Sequence, residues 1–304
     1  MSSAAGDQPV KLTSDHLSVE IARLGAEMQS LKDAQGRDLL WDGDPAFWTG
    51  RAPLLFPIVG RLPGDQLVHE GVAYPMSQHG FARRRAFALR EASASQARFS
   101  LRADGETRKQ YPFDFTLTVT YTLIEATLTI EVQVANPGPV TLPASVGFHP
   151  AFRWPLPYGG TRADHRLVFE KAEVEPVHRP VGGLLSAASE PNPAVDTVIA
   201  PDDAMFERDA LIFLHPRSHH VRFGVPGEPG LEIAYPGMEQ LGLWSKPGAP
   251  FLCIEPWSGY ASPEASSSEP GAAEFMDKPG LSLIPPGGSK SFAMAVRWLP
   301  DIGR

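Results

Sequence analysis

The chain has 304 residues, with 27 Lys or Arg against 35 Asp or Glu and a formal charge of −8. Apolar residues make up 42% and charged ones 20%, a globular rather than a disordered profile in a length that suits one large β domain or two ordinary ones. The acidic balance argues against nucleic acid as a partner, and the single cysteine, Cys253, excludes an internal disulfide or a thiolate metal cluster.

The N-terminus, MSSAAGDQPVKL, lacks the basic and apolar regions of a secretory signal. No run approaches the ~20 apolar residues a membrane helix needs. A soluble, cytoplasmic protein is expected. With 28 glycines and 31 prolines, many short strands joined by turns are expected rather than long helices.

Residues 1–10 read as a flexible lead-in. His16 to Ser30 alternates around Gly25 and predicts two strands meeting at that glycine. Leu54 to Leu62 is a continuous apolar run around Pro57 that ends beside Arg61; it reads as a buried strand with an edge or bend. Arg61 needs a partner there, either a structural carboxylate or a substrate oxygen. Gly64 to Tyr74 predicts a hairpin, followed by Gln78-His79-Gly80-Phe81-Ala82-Arg83. In that stretch an imidazole, an amide and a guanidinium crowd one aromatic ring, as a polyol site requires. Arg84 and Arg85 read as a solvated face.

Strands of period two are predicted at 87–91, 97–103, 113–123 and 127–134. In Val146-Gly147-Phe148-His149-Pro150, Pro150 biases His149 away from the α region. The histidine is therefore expected at a strand end, either packed or working on a ligand. Residues 151–160 and 176–201 read as loops, Arg166 to Glu170 as a short strand, and 238–244 as a turn or loop. Asp209 stands at the entrance to the apolar strand Leu211-Ile212-Phe213. His215, His219 and His220 read as surface residues, because adjacent positions point to opposite strand faces. Phe251 to Ile254 leads directly into Glu255, Pro256 and Trp257. A carboxylate ending a buried strand needs partners, and desolvation raises its pKa toward the range useful for proton transfer. Cys253 reads as a packed thiol. Residues 258–278 read as a mobile loop, and strands at 281–284 and 292–298 close the sheets. One all-β domain of antiparallel strands spanning 1–304 is expected.

His79, His149 and Glu255 share a grammar: apolar strand end, reactive side chain, then a Gly or Pro turn. Two imidazoles and a carboxylate suit acid–base chemistry near neutral pH. They also match a 2-His-1-carboxylate metal set, although close ligand spacing such as H-x-H is missing.

On LLFPIVGRL (54–62), QHGFAR (78–83), YPFDFTLTVTY (111–121), GFHPAF (147–152), RDALIF (208–213), LGLWS (241–245) and CIEPW (253–257), the chain resembles the aldose 1-epimerase (mutarotase) family, and within it the LacX-like branch. The resemblance implies an antiparallel, galactose mutarotase-like β-supersandwich with a sugar-binding cleft and no cofactor or required metal. It implies Glu255 as general base on the anomeric hydroxyl and His149 as general acid on the ring oxygen. It further implies that Arg61 and His79 hold sugar oxygens and that Asp209 holds a hydroxyl. The basic cluster Arg83-Arg84-Arg85 leaves a 6-phosphorylated hexose open as substrate, and the same fold could carry a non-catalytic sugar-binding protein.

Overall fold

The computed structural model describes residues 8–264 and 274–303. Two antiparallel sheets dominate, one of nine strands and one of eight, with smaller two- and three-stranded sheets beside them. The nine-stranded sheet is built on the clearest period-two sequence. In Thr116–Ile124 and Thr127–Ala135, Leu117, Val119, Tyr121, Leu128, Ile130, Val132 and Val134 are buried while the intervening threonines lean outward. Ser289–Leu299 continues the ladder, pairing Val132 with Phe292 and Ile130 with Met294.

The eight-stranded sheet runs through Leu211–Phe213, Gln240–Trp244, Phe251–Ser258, Val146–Phe148 and Leu54–Leu55, with Ala151–Arg153 also pairing to Phe251–Ser258. Leu211, Phe213, Leu241, Leu243, Leu252 and Ile254 join the same hydrophobic cluster as the inward residues of the nine-stranded sheet. Alternation then sends Ile212, Gly242, Trp244, Cys253, Glu255 and Trp257 to the opposite face. That second face is where the site forms. Among the described residues, the only α-helical element is the single turn Gly105–Arg108, and no helix is long and apolar enough to cross a membrane.

Several expectations are corrected. The run 54–62 is a strand only at Leu54–Leu55; beyond it the chain turns through Pro57 and Gly60. The stretch 176–201 holds a hairpin, Val177–Val181 with Leu184–Glu190, plus Val198–Ile199. Ala151–Arg153 and Gln240–Trp244 are strands, not loops. Of the expected lead-in, Val10 already begins the strand Val10–Thr13, and residues 1–7 lie outside the described residues. Of the stretch 258–278, Ser258 ends a buried strand, Phe275–Asp277 forms a helical turn and Lys278 is buried; residues 265–273 lie outside the described residues.

Candidate active site

His149 and Glu255 are brought together by strand register. Gly147 pairs with Trp257 and Ala151 with Cys253, so His149, midway between, stands opposite Glu255. Cross-strand neighbours on one face have the closest side chains in a sheet. His149 Nε2 lies 3.2 Å from Glu255 Oε2. The contact is not aligned as a hydrogen bond, and Glu255 Oε2 and His149 Nδ1 are both buried without a partner. Pro150 contributes by lacking an N–H, which interrupts the ladder between Val146–Phe148 and Ala151–Arg153.

On the other side, Glu255 pairs with Gly242 and Gln240 pairs with Trp257. The Trp257 indole lies across this glycine: a Cβ at Gly242 would stand 2.5 Å from Trp257 Cη2, and one at Gly147 would stand 2.8 Å from Cδ1. The two glycines form a slot that fixes the ring beside Glu255. Gly242→Ala is therefore expected to cost about 1–3 kcal/mol, the range for overpacking a filled core. Thermal denaturation checks this, and an unchanged Tm would show that the slot is not tight.

These residues floor a cavity of about 330 Å³ lined by Trp48, Gln78, His79, Arg83, His149, Asp209, Trp244, Glu255 and Trp257 among others. The volume suits a small polar ligand rather than an extended chain. His79 sits in the left-handed region, φ 63°, and its Nδ1 accepts the Gly60 N–H at 3.1 Å. A neutral ring accepting at Nδ1 carries its proton on Nε2, which makes it a donor. Burial, reinforced by His149, Arg83 and Arg84, holds His79 well below the usual histidine range, so the ring is neutral. Asp209, also at positive φ (69°), is exposed at the rim, with one oxygen accepting the Ala210 N–H at 2.8 Å.

Burial pushes the Glu255 carboxyl well above the usual carboxylate range, helped by the charge of Asp209 and opposed by the Trp257 indole. Burial also drives His149 down to about 3, with its own backbone opposing the shift and Arg83 adding to it. Between the depressed imidazole and the raised carboxyl the pair holds one proton, which rests on the Glu255 side.

Four of the five expected site residues, His79, His149, Asp209 and Glu255, line this one cavity; Arg61 does not. Its fork is engaged with Asp65 at 2.7 and 2.6 Å, and Nη1 donates to the Gly182 carbonyl at 3.0 Å. A sugar oxygen would have to compete with that carboxylate. Arg83 lines the cavity instead, donating to the Gln78 carbonyl at 2.9 Å while its buried Nε has no partner. Trp48 went unread in the sequence; an aromatic stranded in the turn-rich stretch after Asp42-Gly43-Asp44-Pro45, with no strand to bury it, was the available signal. As for a metal set, among the described residues the potential ligand atoms that cluster within 4.8 Å are those of His149, Cys253 and Glu255, without His79. Burial and then Glu255 hold the Cys253 thiol well above its ordinary value, so it stays protonated and is a poor ligand.

The antiparallel two-sheet β fold is that of galactose mutarotase-like proteins. The aldose 1-epimerase family profile matches residues 8–269. The LacX proteins of Lactococcus lactis subsp. lactis, plasmid and chromosomal, are each 32% identical over 290 residues, covering 91% of this chain and 95% of the relative. A galactose mutarotase related enzyme from Lactobacillus acidophilus superposes with a TM-score of 0.87 at 28% identity, covering 97% of this chain and 99% of that one. A galactose mutarotase-like protein from Lactobacillus casei gives 0.86 at 28% identity, covering 96% and 100%. The chain belongs to the aldose 1-epimerase family.

Proposed function

We propose that this protein is a mutarotase that interconverts the α and β anomers of an aldose. The observation that carries the reading is the His149–Glu255 pair, 3.2 Å apart on the floor of the cavity. Opening a cyclic hemiacetal removes one proton from the C1 hydroxyl and adds one to the ring oxygen, with no net gain or loss. A pair holding a single proton matches that requirement in both directions.

The pair's proton rests on Glu255; the productive arrangement is the minor one in which it has passed to His149 Nε2, 3.2 Å away, and Glu255 is ionised. Glu255 takes the C1 hydroxyl proton as the C1 carbonyl forms and the bond from C1 to the ring oxygen breaks. His149 gives its proton to that ring oxygen. Rotation about C1–C2 presents the other carbonyl face, and the reverse transfers close the ring. His79, through its Nε2–H, and the Asp209 carboxylate are proposed to hold sugar hydroxyls, and Trp244 and Trp257, which also line the cavity, to meet the C–H surface of a pyranose. Arg61 is proposed to assist a sugar oxygen only if it gives up part of its grip on Asp65.

Purified protein added to a freshly dissolved single anomer should speed equilibration well above the buffer rate, followed by polarimetry or NMR exchange. No acceleration for any common aldose or hexose 6-phosphate would sink the reading. Arg83 in the cavity wall, with Arg84 bonded to Ser77 Oγ at 2.7 Å nearby, favours including 6-phosphorylated sugars in that screen. A non-catalytic sugar-binding protein is the second reading, and it predicts binding without exchange.

A further inference from the structure

Trp48 reaches the site from outside the sheet that carries the acid–base pair. Its indole stacks on the His149 imidazole with centroids 4.9 Å apart and planes 25° apart. Two further rings meet the same imidazole edge-on: Trp244 at 5.9 Å and 82°, and His79 at 5.8 Å and 83°. Trp48 is thus the face-on member of a three-sided cage. The backbone that carries the indole is held, the Trp48 carbonyl accepting the Trp41 Nε1–H at 2.8 Å and the Phe47 carbonyl accepting from Lys246 Nζ at 3.2 Å, and the ring itself packs on Phe251 with centroids 5.7 Å apart. Gly50 leaves room for the ring, since a Cβ there would stand 2.4 Å from Trp48 Cζ2.

The imidazole needs such support. Its Nδ1 meets no partner outside its own residue and its Nε2 contact with Glu255 is unaligned, so no hydrogen bond from a neighbour fixes the ring plane. The ionisable groups around it are Glu255, Cys253, His79 and Arg83. Glu255 is the carboxyl in contact with the imidazole, while Asp209 stands at the cavity rim, and in the reaction Glu255 is busy with the C1 hydroxyl. An aromatic face is the other feature here that attracts a cation.

We infer that Trp48 is a positioning residue for His149, its indole keeping the ring turned toward Glu255 and sheltering the imidazolium that exists while the proton passes to the ring oxygen. The inference rests on the mutarotase reading for its chemistry, but not for its geometry. Trp48→Leu in the full chain is expected to lower kcat roughly 10- to 100-fold with KM little changed. Trp48→Phe, which keeps a ring face, should recover most of the loss, whereas Trp48→Met, apolar but without a π face, should not; Met also serves if the Leu variant fails to fold. A crystal structure of Trp48→Leu or Trp48→Met should show the imidazole rotated away from Glu255.

Wild-type kcat in both non-aromatic variants would overturn the inference, as would a loss confined to KM, which would make Trp48 a sugar platform instead. If the wild-type protein exchanges no anomer, the mutarotase reading falls and the crystal structure alone decides: an unmoved imidazole overturns the inference, and a displaced one sustains the positioning role.

Discussion

Glu255→Gln is expected to reduce anomer exchange by about 10²–10⁴-fold while sugar affinity stays within a few-fold. The amide keeps the shape of the carboxyl in a site where Glu255 is 1% exposed, so the Gly242–Trp257 slot is undisturbed. It cannot accept the C1 hydroxyl proton. His149 alone is a poor substitute, because burial keeps its neutral ring weakly basic, down to about 3. NMR exchange rates set beside calorimetric titration with the same sugar check the split between turnover and binding. Turnover within about ten-fold of wild type would remove Glu255 from the chemistry; loss of binding together with turnover would point to a structural role.

The part of the fold that sequence made legible is the part with one face toward the core. Thr116–Ile124 and Thr127–Ala135 alternate because threonine and leucine occupy opposite faces. Gln240–Trp244 is buried on both faces and carries a glycine where the Trp257 ring crosses, so neither alternation nor β-propensity marks it. The hairpin Val177–Glu190 fails for the opposite reason: it forms the sheet edge and most of its side chains are partly or fully exposed. The site divides in the same way. His79, His149 and Glu255 were legible as reactive side chains beside Gly or Pro, but the expected strand end holds only for His149: Glu255 lies inside Phe251–Ser258, which runs on through Pro256, and His79 sits in a turn. The pairing of Arg61 with Asp65 depends on a turn at 63–65 that the apolar run concealed. Trp48 depends on packing between a loop and a sheet, which leaves no periodic trace.

The burial that prepares the pair for proton transfer also predicts how stability responds to pH. In the unfolded chain at pH values between 4.5 and 6.5, histidine is protonated and glutamate ionised, so the two side chains carry one proton together. In the folded chain they also carry one, held on the carboxyl side, because Glu255 is raised and His149 is depressed. Equal proton counts give no slope, so the wild-type pair contributes a plateau from 4.5 up to the pH at which the raised Glu255 begins to ionise. Each single substitution breaks the balance in an opposite direction. In Glu255→Gln only the depressed His149 remains; the unfolded state binds the extra proton, and stability is lost as pH falls below 6.5 toward 3. In His149→Gln only the raised Glu255 remains; its contribution is full below 4.5 and is lost as pH rises from there. One proton corresponds to ~1.4 kcal/mol per pH unit, so the two variants should diverge by several kcal/mol in relative stability across the plateau. His79, held low chiefly by burial, is a background shared by wild type and Glu255→Gln; in His149→Gln it also loses the smaller contribution of His149, which the slope of that variant includes. Urea denaturation of the three proteins at a series of pH values measures the slopes, and His149→Gln should also lose about 10²–10⁴-fold in exchange as the proton donor to the ring oxygen disappears. Parallel pH profiles for the two variants would mean that folded Glu255 and His149 keep their ordinary protonation, and the single-proton pair would have to be given up.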